Sequence, residues 1–133
     1  MNKVFIWLQR RGRVVGTMRV LTVRGRKTGR RQTTPVSPLP VNGHDYVTGY
    51  GQSDWVKNAR AAGEGTLAKG KQQRRVKLVE LPEHERGPVL REFPAKVPHG
   101  VDMYLRYGLV AGPTPEDFEA AAPTVTVFRI EPL

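Results

Sequence analysis

The sequence lacks cysteine altogether, and its apolar runs are short. Without cysteine the chain can form neither disulfide bonds nor thiolate sites. Its longest unbroken apolar run is residues 4–8 (VFIWL), whereas a helix that crosses a bilayer needs about 20 apolar residues and a signal peptide also needs a longer run. We therefore expect a protein of a reducing compartment, located in the cytoplasm.

Acidic residues are absent from the first 34 positions, which carry ten basic residues. The other 99 residues carry twelve basic and twelve acidic groups, so the whole net charge of +10 arises near the N-terminus. Residues 24–31 (RGRKTGRR) place five cations around two glycines. Such a patch favours a polyanionic partner: a nucleic acid, a membrane surface or a phosphorylated cofactor. Aromatic residues do not interleave with these arginines as base-stacking platforms would, so we expect no nucleic acid.

The length of 133 residues suits one ordinary domain, and we assign residues 1–133 to a single domain. Helices are predicted at residues 2–11, 54–62 after an N-cap at Ser53, 83–93 with an interruption at Gly87-Pro88, 101–107, and from Thr114. Six strands are predicted at residues 18–24, 31–39, 45–50, 65–69, 74–81 and 124–130. This order predicts an α+β fold, a mostly antiparallel barrel with covering helices.

Local signals refine this prediction. Pro35, Pro38 and Pro40 cannot donate to a strand ladder, so the run at 31–39 should be an edge strand or bulged. Asn42-Gly43 predicts a tight hairpin. The predicted helix within residues 1–13 has an apolar stripe flanked by basic residues, so it either packs on the domain or makes a peripheral contact with an anionic membrane.

Two motifs point to no further chemistry. Residues 65–72 (GTLAKGKQ) nearly match a phosphate-binding loop, but Gln72 stands where a Ser or Thr hydroxyl is needed, and a strand pattern follows where a helix should begin. We interpret them as a hairpin turn. His44, His84 and His99 have no paired metal spacing, so we expect no metal site.

Two segments are candidates for ligand binding. In the turn at 24–31, backbone N–H groups and cationic side chains could converge on one phosphate, and the alternative is a solvated hairpin. Around the strand end at Gly49 and Gly51, a flat ligand could approach the backbone closely. Trp55 then either walls a ring-binding pocket or anchors a helix in the core.

Together these segments resemble the deazaflavin-dependent nitroreductase family of actinobacteria and related organisms. The resemblance covers about residues 18–80. It rests on Leu21-Thr22-x-x-Gly25-Arg26-Lys27-Thr28-Gly29, Pro35, the Asn42-Gly43 hairpin, Gly49 and Trp55-x-x-Asn58-x-x-Ala61. It implies a split β-barrel oxidoreductase that binds reduced coenzyme F-420, an 8-hydroxy-5-deazaflavin with a phosphodiester and an oligoglutamate tail. It also implies hydride transfer to a small-molecule electron acceptor such as a nitroaromatic, a quinone or an α,β-unsaturated carbonyl.

The resemblance also implies roles for individual residues. The expected cofactor-binding residues are Arg26, Lys27 and Thr28 at the phosphate, Gly29 in the turn, Arg30 and Arg31 at the tail carboxylates, Pro35 near the deazaflavin, Gly49, Tyr50 and Gly51 through their backbone, Gln52, and Trp55 at the pocket border. The expected substrate residues are Ser37, Tyr104 and Tyr107, and the candidate proton donors are Tyr50 and Tyr104, with Ser37 or water as alternatives.

This chain departs from the family pattern at some of these positions. Gln52 and a shorter loop replace a lysine and an insertion, Ser37 replaces a tyrosine, and Tyr104 and Tyr107 only loosely match a C-terminal tyrosine cluster. Three other functions remain open: an FMN-dependent split-barrel reductase, a small basic nucleic-acid-binding barrel, and a non-catalytic protein that binds a fatty acid or another apolar ligand. The sequence does not predict the oligomeric state.

Overall fold

The computed structural model describes residues 18–133. The predicted N-terminal helix and the membrane contact assigned to residues 1–13 lie outside this part of the chain. The strands are β1 (Arg19–Arg24), β2 (Arg31–Val36), β3 (Leu39–Val41), β4 (His44–Tyr50), β5 (Glu64–Lys69), β6 (Gln72–Glu80) and β7 (Val125–Pro132). The helices are α1 (Asp54–Ala62), α2 (Glu83–Leu90), α3 (Phe93–Lys96), α4 (Pro98–Arg106) and α5 (Pro115–Glu119).

The strands form one antiparallel sheet in the order β2-β1-β5-β6-β7-β4-β3. This sheet curls into a half-barrel accompanied by the helices, which confirms the prediction of an α+β split β-barrel. The proline-rich run was predicted to lie at a sheet edge. It forms β2 and the start of β3, and these are the two outer strands of the sheet. The sheet has seven strands where about six were predicted, because the run breaks between Val36 and Leu39, at Ser37-Pro38, and the chain continues as a separate strand.

Two apolar clusters pack on opposite faces of the sheet, because successive side chains of a strand point to opposite faces. Inside the barrel, residues of β1, β5, β6 and β7 pack against Val56 and Ala59 of α1. On the other face, β3, β4 and β7 are covered by the later helices through Leu90, Phe93 and Phe118. Along β4, Val47 belongs to the cluster inside the barrel, and its neighbour Tyr46 belongs to the cluster on the other face.

Four local predictions had different outcomes. The helix predicted from Thr114 is α5, and Thr114 caps it, since its Oγ1 accepts a hydrogen bond from the Asp117 N–H at 3.1 Å. Ser53 precedes α1 as predicted but does not cap it, because its hydroxyl donates instead to the Tyr50 carbonyl at 2.8 Å. The predicted break at Gly87-Pro88 is wrong: α2 continues through Pro88, the sixth of its eight residues, which lacks an N–H and so removes one backbone hydrogen bond. The motif at 65–72 forms the β5–β6 hairpin, as predicted.

Candidate functional site

The cationic turn lies between β1 and β2. Its backbone closes through two hydrogen bonds, from Gly25 N–H to the Arg30 carbonyl at 2.7 Å and from Gly29 N–H to the Gly25 carbonyl at 2.9 Å. Gly29 has a φ of +76°, which glycine adopts without strain. The Thr28 hydroxyl accepts a hydrogen bond from Arg30 N–H at 3.2 Å. Thr28 and Gly29 therefore shape the turn, and the glycine-bounded hairpin is formed as predicted.

Arg26 fastens this turn to α1. Both its backbone N–H and its Nη1 donate to Asn58 Oδ1, at 3.1 and 2.7 Å. Its Nη2 also lies 3.4 Å from Asp54 Oδ1. The Arg26 side chain is 24 % exposed, so its guanidinium is largely committed to the helix, and Asn58 is a positioning residue for the turn.

The other cations of the turn have no acidic partner. Within residues 18–133, Lys27, Arg30 and Arg31 join no ion pair, and all three are exposed. Beyond residue 35, by contrast, six of the seven arginines are ion-paired: Arg60, Arg75, Arg86, Arg91, Arg106 and Arg129. The turn therefore presents positive charge that an external anion can neutralise.

A groove runs from this turn along the outward face of β2, β1, β5 and β6. Its cavity of about 380 Å³ is lined by Val20, Thr22, Arg31, Thr33, Thr66, Ala68, Gly70 and Gln73. Thr22 is the register partner of Thr33 on β2 and of Thr66 on β5, so three hydroxyls lie side by side across adjacent strands. Pro35 continues the face, opposite Val20. The groove is thus lined by a row of threonine hydroxyls and by the guanidinium of Arg31.

No role for these threonines or for Gln73 was predicted from the sequence, although Thr22 belongs to the motif at 21–29. No local pattern distinguishes them, because they become neighbours only through the register of the strands. Asn58 was recognised only as part of a motif, without a role. Of the residues predicted to bind the cofactor, Arg31 and Pro35 lie on the groove face, and Lys27 and Arg30 lie in the turn that precedes β2.

The strand end at Gly49 is filled by Trp55. A Cβ atom built on Gly49 would lie 2.9 Å from Trp55 Cε2 and 2.9 Å from Val56 Cγ2, and closer still to Trp55 Cζ2. The half-buried indole also faces Phe128, with ring centroids 6.2 Å apart. The Trp55 side chain therefore lies against Gly49, at the position where a flat ligand was expected to approach, and it packs against the barrel core.

The residues that follow Gly49 lead out of the barrel into α1. Tyr50 is 42 % exposed, and Gln52 is also exposed. Gly51 N–H donates to the Thr124 carbonyl at 3.0 Å, and little room remains for a side chain between Gly51 and Thr126. These residues share the α1 end of the structure with Trp55, and their contact with a cofactor stays a prediction.

The residues predicted to meet the substrate are associated with α4. Ser37 Oγ lies 3.1 Å from His99 Nε2 in the first turn of α4, and it also donates to Met18 Sδ at 3.3 Å. Tyr107, just beyond α4, is 70 % exposed. Ser37 and Tyr107 are therefore accessible or partly so, and their roles stay predictions.

Tyr104 has a different environment from Tyr107. Its side chain is 3 % exposed among Phe93 and Phe118, and its hydroxyl shares a hydrogen bond with Thr48 Oγ1 at 2.6 Å. Burial raises the pKa of Tyr104 to about 12, against the opposing effect of the Thr48 hydrogen bond. Of the two candidate proton donors, Tyr50 alone presents an accessible hydroxyl.

Solved structures show the same fold at low sequence identity. A scan of family models found no match, and neither did a search of curated proteins. An F420-H2 dependent reductase matches with a TM-score of 0.57 and 16% identity, over 89% of this chain and 97% of that chain. A NimC/NimA family protein from Clostridium acetobutylicum matches at 0.56 and 13%, over 97% and 80%. The heme storage protein HutZ from Vibrio cholerae matches at 0.56 and 11%, over 98% and 88%.

These matches support the split-barrel architecture, and the names of two matched proteins refer to different groups, F420-H2 and heme. No helix within residues 18–133 is both long and apolar enough to cross a membrane. This chain thus shares its split-barrel fold with these proteins at low sequence identity.

Proposed function

We propose that this protein is a reductase that uses reduced coenzyme F-420 and transfers a hydride to a small activated acceptor, such as a quinone, a nitroaromatic or an α,β-unsaturated carbonyl. The observation that carries the proposal is the set of unpaired cations Lys27, Arg30 and Arg31 beside the threonine-lined groove. An F420-H2 dependent reductase is among the matched structures. The sequence motif at 25–29 supports the same cofactor by resemblance.

The residues present fit the polar parts of this cofactor. A phosphodiester and several carboxylates need cations that are not already neutralised, and the turn supplies them. A cavity of about 380 Å³ lies within the range of small-molecule sites. Its threonine hydroxyls and the Gln73 amide offer donors and acceptors to a ring system with several heteroatoms.

The protein's own task would be to bind and orient. When bound, the deazaflavin supplies two electrons as a hydride. Lys27 and Arg30 would hold the phosphate, Arg31 would meet the tail, and Arg26 would keep the turn in place through Asn58. Tyr50 is the accessible candidate for delivering a proton to the reduced acceptor.

Fluorescence titration with oxidised coenzyme F-420 tests this proposal. We expect saturable binding that weakens about a hundredfold or more in the double variant Lys27→Ala/Arg30→Ala, because each of the two lost charge-assisted hydrogen bonds costs about 1.5–3 kcal/mol. Arg26 is left intact because its removal would also break the contact with Asn58. The matched control is Lys77→Ala, an exposed β6 cation outside the ion pairs, which should bind as the wild type does.

Three outcomes would contradict the proposal. Absence of saturable binding would exclude coenzyme F-420 as the cofactor. Binding of FMN in preference to the deazaflavin would assign the protein to flavin-dependent reductases instead. Equal losses of affinity in Lys27→Ala/Arg30→Ala and in Lys77→Ala would show that only the overall charge attracts the cofactor, and would contradict the assignment of the phosphate to the turn.

A further inference from the structure

A second cavity lies at the end of the barrel away from α1. It has a volume of about 390 Å³ and is lined by Arg19, Pro38, Pro40, Asp45, Leu67, Lys69, Gln72, Gln73 and Arg74. Arg19 begins β1, Lys69 ends β5 and Gln72 begins β6. At the other end of the same strands, the Gly63 carbonyl at the end of α1 accepts a hydrogen bond from Leu78 N–H at 2.9 Å. We call this second cavity the barrel mouth.

The cations of the barrel mouth share a face with the apolar interior. Arg19 lies two residues from Leu21, and Lys69 lies two residues from Leu67, so each cation is on the same face of its strand as a leucine of the interior cluster. Arg74 is the register partner of Leu67 and lies two residues from the interior residue Val76, so it is on this face too. Three positive side chains therefore surround the entrance to a cavity whose floor is Leu67, itself only 6 % exposed.

The charge of the barrel mouth is not balanced from within. Among the described residues, Arg19, Lys69 and Arg74 join no ion pair, and Asp45 is the one carboxylate in the lining. Three cations and one anion leave a formal charge of +2. Gln72 and Gln73 add amide groups that can donate hydrogen bonds, and the two prolines add apolar wall.

We infer that the barrel mouth binds a small organic anion with a flat or compact apolar body, an aromatic carboxylate being the simplest example. The carboxylate would lie among Arg19, Lys69 and Arg74, and the apolar body would lie against Leu67, Pro38 and Pro40. Arginine recognises a carboxylate through paired N–H groups, while the apolar wall favours the uncharged part of the ligand. This ligand site adjoins the groove, with which it shares Gln73, but its cations are different ones, and it goes beyond the proposed reductase function.

The composition of the cavity favours a small anion over a polyanion. A lining with a formal charge of +2 balances at most two negative charges, and Asp45 repels each negative group that enters. A cavity of about 390 Å³ accommodates one small molecule. A nucleic acid or a polyphosphate would instead require an extended basic surface.

Calorimetric titration with 2-naphthoate, compared with its uncharged analogue 2-naphthamide, tests the inference. We expect naphthoate to bind at least about tenfold more tightly than naphthamide, since charge-assisted hydrogen bonds separate the two. Arg19→Gln and Arg74→Gln should each weaken naphthoate binding by about tenfold and leave naphthamide binding nearly unchanged. Asp45→Asn should act in the opposite direction and strengthen naphthoate binding, because it removes a like charge.

The control variant is Lys27→Ala/Arg30→Ala, which removes two cations from the turn and none from the barrel mouth. Unchanged naphthoate binding in this variant supports the inference. Loss of naphthoate binding there, with none in Arg19→Gln, would overturn it by moving the anion to the turn. Equal affinity for naphthoate and naphthamide, no binding of naphthoate at millimolar concentration, or no gain in Asp45→Asn would also overturn it. None of these readouts requires coenzyme F-420, so failure of this inference and failure of the proposed function are distinguishable.

Discussion

Arg26 and Asn58, which are 32 positions apart in the sequence, meet through a single oxygen atom. Asn58 Oδ1 accepts hydrogen bonds from the backbone N–H of Arg26 at 3.1 Å and from its guanidinium Nη1 at 2.7 Å. Asn58 is 7 % exposed, so water cannot easily replace it. The cationic turn is therefore held against α1 by the Asn58 amide, and the longer contacts of Arg26 with Asp54 add to this link.

Replacement of this amide should loosen the turn. We expect Asn58→Ala to lower the free energy of unfolding by about 2–3 kcal/mol, because two donors, one of them charged, lose their acceptor. Urea denaturation, with unfolding monitored by circular dichroism, measures this change in the free energy of unfolding. Asn58→Asp retains the oxygen and should preserve most of the stability; if both variants unfold alike, the hydrogen bonds to Arg26 do not stabilise the fold as inferred.

The buried Tyr104 should make stability depend on alkaline pH. Its folded-state pKa of about 12 lies above the value of 10.0 for a free tyrosine. The hydroxyl therefore ionises first in the unfolded chain, and its stabilising effect is complete below pH 10 and is lost as the pH rises towards 12. Relative to Tyr104→Phe, the wild type should lose up to about 3 kcal/mol between these pH values.

The measurement for Tyr104 is a pair of urea titrations, of the wild type and of Tyr104→Phe, at pH 8, 10 and 11.5. At pH 8 the variant should be less stable by about 1 kcal/mol, since it lacks the hydrogen bond with Thr48. Parallel stability curves for the two proteins across this range would mean that Tyr104 ionises with equal ease in the folded and unfolded states.

Glu80 should make stability depend on acidic pH. It accepts two hydrogen bonds from Arg60, at 2.8 and 2.9 Å, and lies 3.3 Å from Arg86. The Arg60 hydrogen bonds, and then the charges of Arg60 and Arg86, lower the pKa of Glu80 despite its burial. A depressed carboxyl pKa stabilises the fold above the unfolded value near 4.5, and this effect is lost as the pH falls through the folded-state pKa.

We therefore expect Glu80→Gln to lower the free energy of unfolding at pH 7 by about 1–3 kcal/mol, and the difference from the wild type to shrink below pH 4.5. Thermal unfolding at pH 7, 5 and 3 measures the trend. The matched control is Glu116→Gln, whose carboxylate is exposed beside Arg91 and should matter far less. A pH-independent difference would contradict the role of the Glu80 charge.

Features that are determined by residues close together in the sequence were predictable, whereas features that depend on residues far apart in the sequence were not. The capping box of Thr114 and Asp117, the edge strands around Pro35 and the Asn42-Gly43 hairpin are decided by neighbouring residues, and all were predictable. The contact of Arg26 with Asn58 and the threonine row of the groove depend on packing and register between distant segments. No pattern along the chain encodes those directly.

Gly49 shows the same limit in a single residue. A glycine at a strand end indicates close approach of some group, but the sequence does not say which group. The structure places the Trp55 indole there, with Cε2 at 2.9 Å from the position of a Cβ atom on Gly49. Gly49→Ala should therefore displace the indole and lower the free energy of unfolding by about 1–3 kcal/mol.

A double-mutant cycle tests this cause. Phenylalanine at position 55 is smaller than the indole, so Trp55→Phe should relieve part of the overlap created by Gly49→Ala. We expect the double variant to be at least about 1 kcal/mol more stable than the sum of the single effects predicts. Gly49→Ala combined with Lys77→Ala, on an exposed position of β6, should be additive. Additivity in both cycles would mean that the indole is not the group that excludes a side chain at Gly49, and would leave Val56 Cγ2, at 2.9 Å from the Cβ position, as the close contact.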